Sequence, residues 1–95
     1  MGEFPAEEML SDQQRTELFD IQATVFLNMA VCYFLLKDYK RSEYRATLSI
    51  ELKPTVKGYY RRAVAVAAML DYEGACEDLE LALEIDSKDP NGFKK

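Results

Sequence analysis

Histidine is absent from this chain of 95 residues, and cysteine occurs only twice, at Cys32 and Cys76. Without histidine the chain has no Ser-His or Cys-His nucleophile pair and no HExxH motif, and its cysteines lack the CxxC spacing of zinc sites. We therefore expect no metal, no cofactor and no catalytic activity in this chain. Two cysteines so far apart are most simply reduced thiols, which favours a cytoplasmic location.

Glycine, proline and long apolar runs are also scarce. The longest apolar stretch, residues 25–36, has twelve residues and contains Asn28, which predicts that no segment is long enough to cross a bilayer. The opening Met1-Gly2 does not fit the myristoylation pattern, because position 6 is Ala. Four glycines and three prolines against 48% apolar residues argue for one folded domain with a small core.

Charge is unevenly distributed along the chain. The net charge is -5, but residues 37–62 carry +5, whereas residues 1–22 carry -5 and residues 63–86 carry -7. The overall acidity argues against nucleic acid and against an anionic membrane as partners. A basic middle in an acidic protein favours an acidic peptide or chain terminus instead.

Helix start and stop signals predict four helices. Ser11-Asp12 is typical of an N-cap, and Pro54, Ser87 and Pro90 are predicted to end later helices. The predicted helices cover about residues 13–36, 40–52, 55–69 and 73–85. The second half of the first helix is apolar nearly all round, so we expect neighbours on several of its sides.

The second half of the chain repeats the first at an offset of 33 residues. This shift superimposes identical residues at six positions: Ala30 and Ala63, Val31 and Val64, Asp38 and Asp71, Tyr39 and Tyr72, Leu48 and Leu81, Glu51 and Glu84. Two helical hairpins of this length resemble the tetratricopeptide repeat, whose usual period is about 34 residues. The residues that fit the family's pattern are Phe26, Ala30, Tyr33, Asp38, Tyr39, Ser42, Ser49 and Pro54 in the first repeat, and Tyr59, Ala63, Asp71, Tyr72, Ala75 and Ala82 in the second. Val66 and Ser87 depart from it, standing where the family has an aromatic residue and a proline.

The resemblance implies an all-α fold, in which antiparallel helical hairpins stack as an α-α superhelix. The domain would cover residues 11–89, with repeats over about 23–55 and 56–89 and a first helix extended N-terminally from about residue 12. Residues 1–10 are interpreted as a tail or a cloning remnant, and residues 90–95 as the truncated start of a capping segment. Because two repeats leave apolar faces open, we expect self-association.

Within this family the chain is similar to co-chaperones that bind the acidic C-terminal Glu-Glu-Val-Asp peptide of the seventy- and ninety-kilodalton heat-shock chaperones. Their clamp for two carboxylates uses five residues, and Asn28, Lys57 and Arg61 match three of them. The resemblance implies that these three residues hold the peptide. Lys57 and Arg61 are four residues apart, hence one turn apart on one helix face, and two cations with a neutral amide donor suit carboxylates. The first Lys and Asn of the clamp have no counterpart here.

The long first helix also resembles the second repeat of immunophilin-type co-chaperones, where it follows a first repeat and an isomerase domain. The resemblance implies that this chain is a C-terminal piece of a larger protein. One hypothesis is that the parent is a peptidyl-prolyl isomerase and that this chain is its targeting part.

Other interpretations of the clamp residues stay open. Lys57 and Arg61 could belong to an ordinary solvated helix face, and Asn28 could hydrogen-bond within a packed helix pair. The chain would then be a repeat scaffold that binds a different partner through apolar faces.

Several neighbouring residues are predicted to have structural roles. Arg62 is expected to bond the acidic fourth helix or to lie in solvent, and Tyr39 and Tyr72 to pack in their turns. The acidic residues of the fourth helix are predicted to form a solvated face: Glu77, Asp78, Glu80 and Glu84.

Overall fold

The first helix, α1 (Asp12–Leu35), begins at a capping box. The Gln14 backbone N–H donates to the Ser11 hydroxyl at 3.1 Å, and the Ser11 N–H donates to the Gln14 side chain at 2.9 Å. These two bonds satisfy backbone donors that the first helical turn leaves free. The structure is a computed structural model that describes residues 9–88. Most of the predicted tail and all of the predicted capping segment lie outside the described residues.

Three further helices follow: α2 (Tyr39–Leu52), α3 (Val56–Ala68) and α4 (Tyr72–Lys88). The Asp38 carboxylate caps α2 and the Thr55 hydroxyl caps α3. The all-α prediction is confirmed, with four helices and no strand among residues 9–88. α4 runs three residues past its predicted end, and Ser87 lies inside it. Serine keeps its backbone N–H, so it does not stop a helix as proline does.

The turns that close the two hairpins are equivalent at the predicted offset. Lys37 and Leu70 adopt left-handed backbone conformations, with φ of 66° and 69°. The residue after each one donates its N–H to a carbonyl five residues earlier: Asp38 to Tyr33 and Asp71 to Val66, both at 2.9 Å. This is the Schellman arrangement that ends a helix with a left-handed residue. The 33-residue repeat is therefore present in the backbone as well as in the sequence.

Small residues fill the interior. The small residues that fit the repeat pattern are all buried: Ala30, Ser42, Ser49, Ala63, Ala75 and Ala82. Short side chains let helix axes approach closely, so α1 packs on α2, α2 on α3 and α3 on α4, with a smaller contact between α1 and α3.

One face of α1 is open. Only Ala23 and Ala30 are buried in this helix, whereas Ile21 is 62% and Leu35 74% exposed. The expectation that neighbours would surround the apolar half of α1 is therefore wrong for the residues the structure describes. In this part of the chain, α1 is packed on one side only, against α2 and part of α3.

α1 is also long and apolar enough to cross a membrane by length and composition. An 18-residue window in it has a mean hydropathy of 1.6, and 11% of that window is buried. This corrects the expectation that no segment reaches the required length, because polar residues such as Asn28 interrupt the apolar run without ending the helix. Core helices of soluble proteins and signal sequences can have the same length and composition as a membrane-spanning helix.

Candidate functional site

The start of α3 is held tightly against α2. Gly58 is buried, and a Cβ at this position would lie 3.0 Å from Cγ1 of Ile50. The Gly58 N–H donates to the Thr55 hydroxyl at 2.9 Å, which caps the helix. The first turn of α3, which carries Lys57, is thus fixed by packing and by its cap.

Lys57 and Arg61 lie one turn apart on α3 and have no carboxylate partner among residues 9–88. Lys57 is exposed. Arg61 is half-buried, with its guanidinium carbon 5.8 Å from the centre of the Tyr60 ring, a distance typical of cation-π contacts. Both cations are therefore available to an anion from outside.

Arg62, the next residue, is fully engaged within the fold. Its Nε and Nη2 atoms donate to the Asp78 carboxylate of α4 at 2.8–3.1 Å, and Nη1 donates to the Thr47 hydroxyl at 3.3 Å. The hydrogen bond with Asp78 raises the pKa of Arg62 above its ordinary value, although burial opposes this. Arginine is charged at neutral pH, and this ion pair joins α3 to α4. Of the two arrangements expected for Arg62, the bond to the acidic fourth helix is the one observed.

Asn28 is exposed on α1 and lies in an open groove of about 350 Å³. The other residues that line this groove are Val25, Met29, Cys32 and Tyr33. Neither Lys57 nor Arg61 lines it; Lys57 lines a different cleft, between α3 and α4. The structure thus brings Lys57 and Arg61 onto one helix and leaves Asn28 in a separate depression.

A second pair of cations lies beside the groove that holds Asn28. The guanidinium carbons of Arg41 and Arg45 in α2 are 5.9 and 5.8 Å from the centre of the Tyr33 ring. These two arginines have the same four-residue spacing as Lys57 and Arg61, which could have drawn attention to them in the sequence. An anion in the groove of Asn28 would meet this pair, whereas Lys57 and Arg61 do not line the groove.

Two structural predictions need correction. Asp78 is not part of a solvated face, because its pairing with Arg62 leaves it 6% exposed; Glu77, Glu80 and Glu84 are exposed as predicted. Tyr72 does not pack in its turn and is 63% exposed. Tyr39 does pack in its own turn, with its ring centre 5.3 Å from the ring centre of Phe34.

Residues suited to metal or redox chemistry do not converge in the described part of the chain. No group of three or more Cys, Asp or Glu side chains among residues 9–88 could hold a metal ion. Cys32 and Cys76 are free and exposed.

Stacked helical hairpins that repeat every 33 residues, with cations exposed on α3, fit a tetratricopeptide-like domain. The chain is 30% identical over 77 residues to the peptidyl-prolyl cis-trans isomerase PASTICCINO1 of Arabidopsis thaliana, a match that covers 79% of this chain and 12% of that protein. No family model and no solved structure matches the chain. The all-helical fold and this relative fit a tetratricopeptide-like interaction domain, and the chain corresponds to a small part of the relative's length.

Proposed function

We propose that this chain is a non-catalytic module that binds the acidic C-terminal peptide of a heat-shock chaperone through Asn28, Lys57 and Arg61. The observation that carries the proposal is the contrast on α3: Arg62 is paired with Asp78, whereas neither Lys57 nor Arg61 has a carboxylate partner among residues 9–88. Charged groups without partners in a fixed helical turn are ready to bind a carboxylate at little reorganisation cost.

The charge distribution supports an anionic ligand. Residues 37–62 carry +5 within a chain of net charge -5. A peptide that ends in a carboxylate beside an aspartate presents two anionic groups, and each charge-assisted hydrogen bond contributes about 1.5–3 kcal/mol. Lys57 supplies a point charge and Arg61 a planar fork, while the Asn28 amide is a neutral donor.

Titration of a Glu-Glu-Val-Asp peptide against the wild type and a Lys57→Ala, Arg61→Ala double variant tests the proposal. We expect the double variant to bind at least about tenfold more weakly, because it loses two charged donors. A separate Asn28→Ala variant should weaken binding less, because its amide is uncharged.

A matched control distinguishes a site from general attraction. Lys37 and Lys40 are both exposed, and neither lines the groove of Asn28, so Lys37→Ala with Lys40→Ala removes the same charge elsewhere. This control should change the affinity by less than about threefold, as expected for exposed charges outside the contact. Equal loss in the two double variants would contradict the assignment of the site to α3.

A second candidate function is a repeat scaffold whose partner contacts apolar faces. The exposed side chains Ile21 and Leu35 of α1 favour it. Ionic strength separates the two functions, because salt screens a contact between exposed charges and leaves an apolar contact unweakened.

The proposal includes a cytoplasmic location, which the free thiols of Cys32 and Cys76 support. It also includes a parent protein of the peptidyl-prolyl isomerase class, for which the relative's name is the support. An upstream coding sequence without an isomerase domain would contradict this last part and leave the peptide site unaffected.

A further inference from the structure

An apolar cleft runs between α3 and α4. It has a volume of about 420 Å³ and is lined by Val56, Lys57, Tyr60, Leu79, Ala82, Leu83 and Asp86. Its large side chains face solvent: Tyr60 is 50%, Leu79 41% and Leu83 65% exposed. Two antiparallel helices with such side chains one turn apart form ridges against which another surface can pack.

Asp86 gives this cleft an unmet chemical requirement. The residue is 9% exposed, and its Oδ1 atom is buried without a hydrogen-bond partner among the described residues. A buried carboxylate oxygen without a donor costs free energy. Asp86 lines the cleft, so a donor that enters the cleft can reach this carboxylate.

Lys57 lies at the same end of the cleft. The antiparallel arrangement places the beginning of α3 beside the end of α4, so Lys57 and Asp86 line one opening. No ion pair joins them in the structure, and Lys57 is exposed. The cleft therefore presents one cation and one anion, each without an ionic partner among residues 9–88.

The remaining acidic residues of α4 do not face the cleft. At 100° per residue, Glu77 and Glu84 lie roughly opposite Leu79, Leu83 and Asp86 on the helix, and Glu73 and Glu80 lie about a quarter turn away. The lining of the cleft is thus apolar with one charge of each sign. Two copies of such a surface can therefore pair, with the cation of one copy facing the anion of the other.

We propose that a second copy of this chain occupies the cleft about a two-fold axis, with Lys57 of each copy paired to Asp86 of the other. In such an isologous dimer the same patch is used twice, so both unmatched charges find partners. Leu79, Leu83 and Tyr60 pack against their equivalents across the axis. The inference goes beyond peptide binding and does not require it, because it rests on Asp86, Lys57 and the apolar walls. The two contacts share Lys57, so they compete for that residue.

Charge reversal and mixing test this arrangement by sedimentation velocity across a concentration series. The wild type is expected to dimerise. Lys57→Asp and Asp86→Lys alone each place like charges together, which should weaken association by more than about tenfold. An equimolar mixture of the two variants should form heterodimers, because every pair across the axis is again of opposite sign.

Two leucine variants keep the test decisive if Asp86→Lys fails to fold. Leu83→Glu places a charge in the cleft and should abolish dimerisation, whereas Leu35→Glu, on the open face of α1, is the matched control and should leave it intact. Circular dichroism confirms that each variant is helical. A wild type that is monomeric at all concentrations, a mixture of folded single variants that stays monomeric, or a dimer lost in Leu35→Glu but kept in Leu83→Glu would each overturn the proposal.

Discussion

The first hairpin is held together by hydroxyl groups and the second by methyl groups and an ion pair. Ser42 and Ser49 of α2 donate to the carbonyls of Ala30 and Ala23 in α1, at 2.7 and 2.8 Å. At the equivalent positions of α4 stand Ala75 and Ala82, which are buried without any polar side-chain group. The Arg62–Asp78 ion pair links α3 to α4 instead.

The turns show a related difference. Both have the same backbone hydrogen bonds, but the Tyr39 ring packs at a tilt against the Phe34 ring, whereas Tyr72 is exposed. The residue that corresponds to Phe34 in the second hairpin is Ala67, so Tyr72 has no aromatic ring to meet. The comparison teaches that the repeat preserves the backbone geometry of the turns and the small residues that are buried between helices, while the other side-chain contacts are replaceable.

The largest effect is expected from breaking the ion pair of the second hairpin. Asp78→Ala would leave Arg62 partly buried without its partner, and we expect a loss of about 3 kcal/mol in the free energy of unfolding. Urea denaturation followed by circular dichroism measures it. Glu77→Ala, at an exposed neighbour, is the control and should change stability by less than about 0.5 kcal/mol.

The same pair can be replaced as a unit. In a double variant with Arg62→Met and Asp78→Leu no charge is left uncompensated, so most of the lost stability should return. A double variant as unstable as Asp78→Ala would show that the ion pair itself, and not the uncompensated arginine, determines the stability of the hairpin.

A smaller effect is expected from exchanging serine and alanine between equivalent positions of the two hairpins, Ser42 in α2 and Ala75 in α4. Ser42→Ala removes the hydrogen bond to the Ala30 carbonyl and should cost about 1 kcal/mol. The converse change, Ala75→Ser, places a hydroxyl opposite the equivalent carbonyl of Ala63 and should cost less than Ser42→Ala. If Ala75→Ser proves the more damaging in urea denaturation, the two crossings are not equivalent.

The smallest effect concerns the left-handed turn residues. Glycine at position 37 or 70 removes the strain of a side chain at φ of 66° or 69°, which outweighs its extra conformational entropy in the unfolded chain. Lys37→Gly and Leu70→Gly should therefore each stabilise the domain by about 0.5 kcal/mol. Leu36→Gly, at φ of -81°, is the matched control and should destabilise it. Thermal melts that rank the control above either turn variant would contradict this account of the turns.

Much of this architecture follows from the sequence, because it depends on local signals. Helix caps, the proline after α2 and the 33-residue repeat of small residues predict four helices and their pairing, which the structure confirms. A bond between Arg62 and the fourth helix was also among the arrangements expected from the sequence, because that helix is acidic. Helix caps and repeat spacing predict where each hairpin forms. The antiparallel packing of its two helices then determines which side chains come into contact.

The remaining features depend on relations between helices that spacing does not encode. Asp78 is buried because the arginine of α3 reaches it, and Tyr72 is exposed because Ala67 replaces an aromatic residue. The separation between the groove of Asn28 and the cleft of Lys57 is set by how the hairpins stack. For the same reason, the unpartnered oxygen of Asp86 has no signature in the sequence.

The central functional claim is that the cations of α3 hold a chain terminus. Calorimetric titration of the Glu-Glu-Val-Asp peptide with a free C-terminus and with an amidated C-terminus tests it most directly, at low and at raised salt. The account predicts that amidation weakens binding by about tenfold or more, since a terminal charge is lost, and that salt weakens the free-acid peptide more than the amide. Equal affinities for the two peptides would contradict it.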